Sequence, residues 1–191
     1  MKKIRIVVCL NEVNCIGKDN ELLYHISEDL KHFKNLTTNH TIIIGNDTLK
    51  SFPKSKPLPN RTNIVLTRNK DLKTDNVLYV HSIEDAIKLA NEKGQGTVIY
   101  VAGGASIYKQ FIDANLVDEL IITRVFDKTE GDTYFPEYED KFEMIEDSYI
   151  ISDDEISYQF EHWLVKNEKF EEIKEKYLSV FKCDKSCLLS V

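Results

Sequence analysis

The sequence predicts an α/β fold: a central, mixed and mostly parallel sheet with helices on both faces, finished by an antiparallel hairpin. Three observations carry this expectation. Short runs rich in β-branched residues alternate with helix-like stretches along the first part of the chain, the pattern changes to strands only from about Val117, and the last two strands flank the polar turn Ser152-Asp153-Asp154-Glu155. In order, the parallel strands are residues 4–10 (IRIVVCL), 41–45 (TIIIG), 62–67 (TNIVLT), 77–80 (VLYV) and 97–102 (TVIYVA), apolar enough to be buried on both faces. Between them the spacing predicts helices over Ser27–Leu36 and Ser82–Lys93, with Ser27 and Ser82 as N-caps, and over Thr48–Phe52 and Ser106–Ala114. The later strands are 117–126, 142–151 and 156–165, the last pair forming the hairpin. Phe170, Ile173, Tyr177 and Phe181 then recur at helical spacing, which predicts an amphipathic C-terminal helix. The chain divides into a main domain, 1–165, and a helical extension, 166–191.

Composition narrows the function. The 191 residues carry 32 Asp and Glu against 25 Lys and Arg, a net charge of −7 without a basic run, which argues against a nucleic-acid binder. The opening MKKIRIVVCL has too short an apolar run and no cleavage site for an export signal, and no stretch is long enough to span a membrane, so a soluble cytoplasmic protein is expected. Cys9, Cys15, Cys183 and Cys187 lack the density of a disulfide scaffold and read as free thiols, and no metal site is expected.

Several residues could carry chemistry. The stretch Ile16-Gly17-Lys18-Asp19-Asn20-Glu21-Leu22-Leu23-Tyr24-His25 is too polar for a strand and reads as a loop or lid. Asp29 lies one turn before Phe33 and beside Leu30; it is either a first-turn acid favoured by the helix dipole or a semi-buried carboxylate able to bind a protonated heterocycle. Gly103-Gly104, between the strand ending at Ala102 and the helix opening at Ser106, lets a ligand approach backbone at a helix N-terminus, or simply makes a tight turn. Ile44-Gly45-Asn46-Asp47-Thr48 repeats that junction, so two phosphate groups could be gripped on one sheet edge. Arg61, in the proline-stiffened PLPNRT, is either a carboxylate clamp or a solvated loop side chain, and Arg68 is placed to meet a phosphate.

These pieces in this order resemble the dihydrofolate reductase family. The resemblance covers about residues 4–165 and rests on IGKDNELL, SEDLKHFK, IIIGNDT, PLPNRTNIVLTR, VAGGASIYKQF, GDTYFP and SYQFE. It implies the dihydrofolate reductase-like fold, an eight-stranded sheet flanked by four helices, and reduction of 7,8-dihydrofolate to tetrahydrofolate with NADPH as cofactor. By the resemblance Asp29 is the pterin-pocket acid that promotes protonation of N5, Thr123 supports it, and Leu22 and Tyr24 belong to the lid that closes over nicotinamide. Val7, Val8, Leu30, Phe33, Ser51, Phe52, Leu58, Ala102 and Tyr108 are implied on the substrate side, with Arg61 holding the carboxylate of the glutamate tail. Cys9, Ile16, Gly17, Asn20, Gly45, Asn46, Asp47, Thr48, Thr67, Arg68, Gly103, Gly104, Ala105, Ser106 and Ile107 are implied on the cofactor side, and Asp132 in the loop that steadies the lid.

The chain departs from the family pattern at four places. Leu23-Tyr24 stands where Pro-Trp is usual, Asn46-Asp47 stands where Arg followed by a basic or neutral residue is usual after the glycine, Ser106 replaces a frequent Arg, and the helical tail lies beyond the usual end. The tail's apolar stripe suits packing or self-association. Two other functions share much of the pattern: a degenerate pterin- or nucleotide-binding module without turnover, and a pyrimidine reductase of riboflavin synthesis. Asp29 and Arg61 favour the folate reading over the pyrimidine reductase, and Asp29, Thr123 and Gly103-Gly104 favour it over the binding module.

Overall fold

Alternating side chains along the strands build two apolar layers on one sheet in the computed structural model, which describes residues 1–152 and 156–166. The elements in chain order are β1 (Lys3–Asn11), β2 (Cys15–Lys18), β3 (Glu21–Leu22), α1 (Ser27–Thr37), β4 (Thr41–Gly45), α2 (Asn46–Ser51), β5 (Thr62–Leu66), β6 (Val77–Val80), α3 (Ile83–Lys93), β7 (Val98–Val101), α4 (Ala105–Asp113), β8 (Glu119–Val125), β9 (Thr133–Tyr134), β10 (Phe142–Asp147), β11 (Ile151–Ser152) and β12 (Ser157–Val165). The main sheet runs β10-β12-β8-β1-β7-β4-β5-β6, with the short β11 added to β12. All pairs from β8 to β6 are parallel, and β12 and β10 close the sheet antiparallel. This is the expected eight-strand arrangement flanked by four helices.

On β1, Ile4, Ile6, Val8 and Leu10 point into the larger core with Ala86 and Ala90 of α3 and Ile107, Phe111 and Ile112 of α4. Val7 points the other way, into a cluster with Ile42, Tyr100 and the α1 residues Phe33 and Leu36. Each fully buried Val, Leu or Ile among these stabilises the fold by roughly 1.5–3 kcal/mol. At the end of β1 remote from the clefts described below, Lys3, Arg5 and His162 converge on Glu119, which is 1 % exposed. Against the desolvation of burial, these partners hold its carboxyl well below the usual range. The cluster ties β1, β8 and β12 in register.

The structure corrects some local expectations. Ser82 caps α3 by accepting from the Asp85 amide at 3.1 Å, as expected, but Ser27 is the first residue of α1, and its N-cap is Ile26, without a side-chain bond. The Ile26 side chain is held in an apolar cluster with Val125 and Tyr158, so tertiary packing sets that helix start. The hairpin strand 142–151 is interrupted: the Ser148 hydroxyl accepts from the Phe160 amide at 3.0 Å, and pairing resumes only at Ile151.

The polar stretch after β1 is not a loop. β2, β3 and β9 form a second, three-stranded sheet. Asp19 (φ 52°) and Asn20 (φ 63°) make the tight two-residue connection, since Asp and Asn tolerate the positive φ that such a hairpin needs at both positions. The helix expected for the tail, with Cys183 and Cys187, lies outside the described residues. Among the described residues no helix is long and apolar enough to cross a membrane, and no group of three or more His, Cys, Asp or Glu could hold a metal.

Candidate active site

Parallel strands place their carboxyl ends together, and here β7, β4 and β5 are neighbours that end at Val101, Gly45 and Leu66, with Gly103 and Thr67 just beyond. The first two junctions touch: the Gly45 amide donates to the Gly103 carbonyl at 2.7 Å. The Gly103-Gly104 peptide is cis, and Gly103 has φ 112°, a region that disfavours any side chain. A Cβ at Gly104 would meet only Thr48 Oγ1, at 3.4 Å, so the backbone there is open to a ligand. At Gly45 the glycine has another reason: a Cβ would lie 3.2 Å from Ile107 of α4. Ala105 and the exposed Ser106 begin α4, and the buried Ile107 anchors it.

Thr67 and the exposed Arg68 follow on the next strand, where the Thr67 carbonyl bonds His81 Nδ1 at 2.8 Å. Asn46 and the exposed Asp47 begin α2, and Asp47 pairs with Lys50 at 2.8 Å. The geometry therefore offers open glycine backbone and a hydroxyl, with Arg68 as the cation beside it, which fits a phosphate-bearing cofactor.

Beside this edge lies the acid. Thr123 and Cys9 are register partners on β8 and β1, and Phe160 pairs with Thr123 from β12, so all three share the face that α1 covers. Thr123 Oγ1 donates to Asp29 Oδ1 at 2.6 Å. Burial raises the Asp29 carboxyl above its ordinary value, opposed by the Thr123 bond and by His32. Burial and the nearby Asp29 also push the Cys9 thiol and the Tyr108 hydroxyl up, so both stay protonated. Tyr108 donates to the Val7 carbonyl at 2.9 Å and lies against Gly103, linking the acid's neighbourhood to the glycine junction.

An apolar wall extends from the acid along α1. Phe33, Phe52 and Leu58 pack around Val7 and Ile42, while Leu30 is 46 % exposed and free to receive a ligand. Ala102 sits between this wall and the Ile44, Leu49 and Val65 cluster. Ser51 is turned back on its helix, bonding the Thr48 carbonyl at 2.8 Å. At the far end Arg61 is fixed: Nε donates to Thr37 Oγ1 at 2.8 Å, Nη1 donates to the Pro59 carbonyl at 2.8 Å, and the guanidinium lies 5.9 Å from the Phe33 ring centre. A pre-oriented guanidinium at the end of an apolar trough suits a bidentate carboxylate.

The β2–β3 ribbon borders the site. Leu22 is 50 % exposed, Ile16 packs on the main core, and Gly17 is buried, where a Cβ would meet the Glu21 carbonyl at 2.7 Å. Asn20 Nδ2 reaches the Asp47 carbonyl at 3.4 Å, and Asp132 Oδ2 accepts from the Asp19 amide at 2.8 Å. Tyr24 packs with Ile26, Cys9 and Phe160, and its hydroxyl meets Asn11 Nδ2 at 3.1 Å.

One residue implied in the site is differently placed. The Val8 side chain points into the main core, opposite to Val7, so only its backbone faces this region. Two residues were missed. His32 packs on Phe160 with ring centres 4.5 Å apart and the rings tilted by 40°, and charge-couples to Asp29 from one turn away, while burial lowers its own pKa. Its spacing from Asp29 was the available signal. Asn11, a fully buried amide at the end of an apolar strand, is the other.

A family model described as dihydrofolate reductase matches residues 3–167. The chain belongs to the dihydrofolate reductase family. Membership makes it an NADPH-dependent oxidoreductase. Dihydrofolate reductase from Staphylococcus aureus is 38 % identical over 135 residues, covering 71 % of this chain and 79 % of that protein. The Staphylococcus haemolyticus enzyme is 37 % identical over 134 residues, covering 70 % and 76 %. Among solved structures, Enterococcus faecalis dihydrofolate reductase complexed with NADP(H) and RAB-propyl superposes with a TM-score of 0.77 at 31 % identity, covering 86 % of this chain and 97 % of that one.

Within this dihydrofolate reductase fold the Thr123–Asp29 bond makes a direct prediction. The hydroxyl favours the charged carboxylate, so Thr123→Val is expected to raise the Asp29 pKa further. Carboxyl-carbon NMR titration of the two proteins checks it, and an unchanged or lower pKa contradicts the assignment.

Proposed function

We propose that the chain reduces 7,8-dihydrofolate to 5,6,7,8-tetrahydrofolate, with hydride delivered to pterin C6 and protonation of N5 assisted by Asp29. The observation that carries this reading is the half-buried Asp29 carboxyl, held by Thr123 at the head of an apolar trough that ends at Arg61. NADPH, when bound, supplies the hydride. The chain's own groups do the rest. Asp29 receives the 2-amino group and N3 of the pterin and, as a fixed negative charge in a poorly solvated place, favours a proton at N5. The Val7 and Ala102 carbonyls are the acceptors offered to the pterin amine; Tyr108 already uses one lone pair of Val7, leaving the second. Phe33, Phe52, Leu58 and Leu30 exclude water and align the ring, and Arg61 binds the carboxylate of the glutamate tail. Gly103 to Ile107, Gly45 to Thr48 and Thr67-Arg68 hold the cofactor, and Leu22 closes over its nicotinamide. The free thiols at Cys9 and Cys15 suit a reducing, cytoplasmic setting.

The test is oxidation of NADPH by the purified full chain with dihydrofolate. Dihydrofolate-dependent turnover is expected. Tight NADPH or folate binding without turnover overturns the reading in favour of a binding module, and turnover only with an aminopyrimidine ribosyl substrate favours the riboflavin-pathway reductase.

Cofactor preference follows from the cation that Asn46-Asp47 removes. Asn46 and Asp47 leave no cation at the start of α2, and Lys50 is engaged by Asp47, so Arg68 remains to recognise the 2′-phosphate. The preference for NADPH over NADH is expected to be weaker than that of the Staphylococcus aureus enzyme assayed alongside. Asp47→Arg should strengthen it about tenfold, the scale of one charge-assisted contact. An equally strong preference in the unaltered chain contradicts the assignment.

A further inference from the structure

We infer that Asn11 is a positioning residue for hydride transfer, one buried amide that fastens both roots of the β2–β3 ribbon to the segment between β8 and β9. The inference rests on the proposed role of the ribbon as the lid over nicotinamide.

An Asn side chain has four hydrogen-bonding positions, two donor hydrogens and two acceptor lone pairs, and Asn11 fills all four. Oδ1 accepts from the Val13 amide at 3.2 Å and from the Cys15 amide at 2.9 Å. Nδ2 donates to the Tyr24 hydroxyl at 3.1 Å and to the Thr129 carbonyl at 2.8 Å. Two backbone N–H groups on one side and a carbonyl on the other allow only this orientation of the amide, because the flipped form would face donors with donors. The side chain is 0 % exposed, so none of these bonds can be exchanged for water without opening the structure. The Asn11 backbone is fixed as well, its carbonyl accepting from Arg124 Nη1 at 3.1 Å.

The partners show what the amide does. Val13 and Cys15 lead into β2, the first arm of the ribbon, and Tyr24 follows β3, the second arm. Thr129 lies in the segment whose other end grips the ribbon tip through Asp132 and the Asp19 amide. The ribbon carrying Leu22 is thus held at its tip by Asp132 and at both roots by Asn11. A turn cap alone needs only Oδ1; the two Nδ2 bonds have no part in the turn and add Asn11 to the tie between the β8–β9 segment and Tyr24, whose hydroxyl also engages Asp127 and Thr129 directly. Asn11 acts on the reaction through Tyr24 and the ribbon.

Asn11→Ser separates the two roles, because a serine hydroxyl can still cap the turn but is too short to reach Tyr24 and Thr129. Asn11→Ser, Tyr24→Phe and the double variant are compared with the unaltered chain by melting temperature, KM for each substrate and single-turnover hydride transfer. Loss of two buried hydrogen bonds is expected to slow hydride transfer about tenfold and raise KM for NADPH severalfold in Asn11→Ser, with KM for dihydrofolate changed less than about twofold. Tyr24→Phe, which also removes the hydroxyl's contact with Asp127, should slow hydride transfer about threefold, and the double variant should be slower than Asn11→Ser by less than that factor, because the two changes share the Asn11–Tyr24 bond. Unchanged hydride transfer and NADPH KM in Asn11→Ser, or multiplicative effects in the double variant, overturn the inference. If Asn11→Ser does not fold, Asn11→Thr, which keeps a capping hydroxyl on a larger side chain but cannot reach Tyr24, decides: slower hydride transfer supports the tie, and an unchanged rate overturns it. If the unaltered chain does not turn over dihydrofolate, the functional reading fails separately. NADPH affinity by fluorescence titration then decides: weaker binding in Asn11→Ser supports the tie, and equal binding overturns it.

Discussion

Asp29→Asn is expected to lower dihydrofolate-dependent NADPH oxidation by about 10²–10⁴-fold, the contribution of a well-placed acid–base group. An amide still accepts from Thr123 and preserves the packing of α1, but it carries no charge to favour a proton at N5. The same substitution should not weaken the fold. Burial raises the folded-state pKa of Asp29 above its unfolded value. The group's favourable contribution to stability is therefore complete below the unfolded pKa and is lost as pH rises through the folded pKa. At neutral pH the ionised, desolvated carboxylate is a liability that Asn lacks. Asp29→Asn should melt at or above the temperature of the unaltered chain near pH 8, and the difference should vanish on acidification below about pH 4, where an unfolded Asp protonates. Full activity with lower stability in Asp29→Asn contradicts the role given to this residue.

The second large effect belongs to Arg61. Its guanidinium is held on Thr37 and the Pro59 carbonyl before any ligand arrives, so little ordering is left for binding to supply. Burial lowers its pKa, but a guanidinium stays charged in any accessible pH range. Arg61→Leu is expected to raise KM for dihydrofolate by about 10–100-fold with little change in kcat, since a contact to the glutamate tail is equally strong before and during hydride transfer. Steady-state kinetics with a reduced pterin that lacks the glutamate provides the control. Its KM should not respond to Arg61→Leu. A matching rise for both substrates would assign Arg61 to the end of α1 instead of to the ligand.

The strand and helix alternation was legible because burial on both faces demands unbroken apolar runs; TIIIG carries that signal within a single segment, whereas VLYV forms the sheet's edge strand with only Val80 buried, not the strand buried on both faces that its composition suggests. The glycine junctions were legible for the same local reason. The mutual contact of Gly45 with Gly103 was not, because strand order is set by packing between segments far apart in sequence. Asp29 could be read either as a helix dipole partner or as a buried acid; what decides between them is Thr123, a bond across 94 positions that resemblance named and residue type alone did not. Ser27 misled because a capping residue type was available where the apolar packing of Ile26 had already fixed the helix start. The ribbon misled because its polar residues hide a tight turn at Asp19-Asn20. Asn11 looked like an ordinary strand terminus, since its importance lies entirely in what three other segments bring to it.

The account turns on a proton delivered with the help of one buried carboxyl, and the pH dependence of single-turnover hydride transfer from NADPH to dihydrofolate tests it most directly. With the unaltered chain the rate should fall steadily as pH rises through the pKa of the pterin–Asp29 complex, and with Asp29→Asn the slow residual rate should follow a displaced profile set by the pterin alone. A flat profile for the chemical step in the unaltered chain, or the same profile in both proteins, would contradict the account.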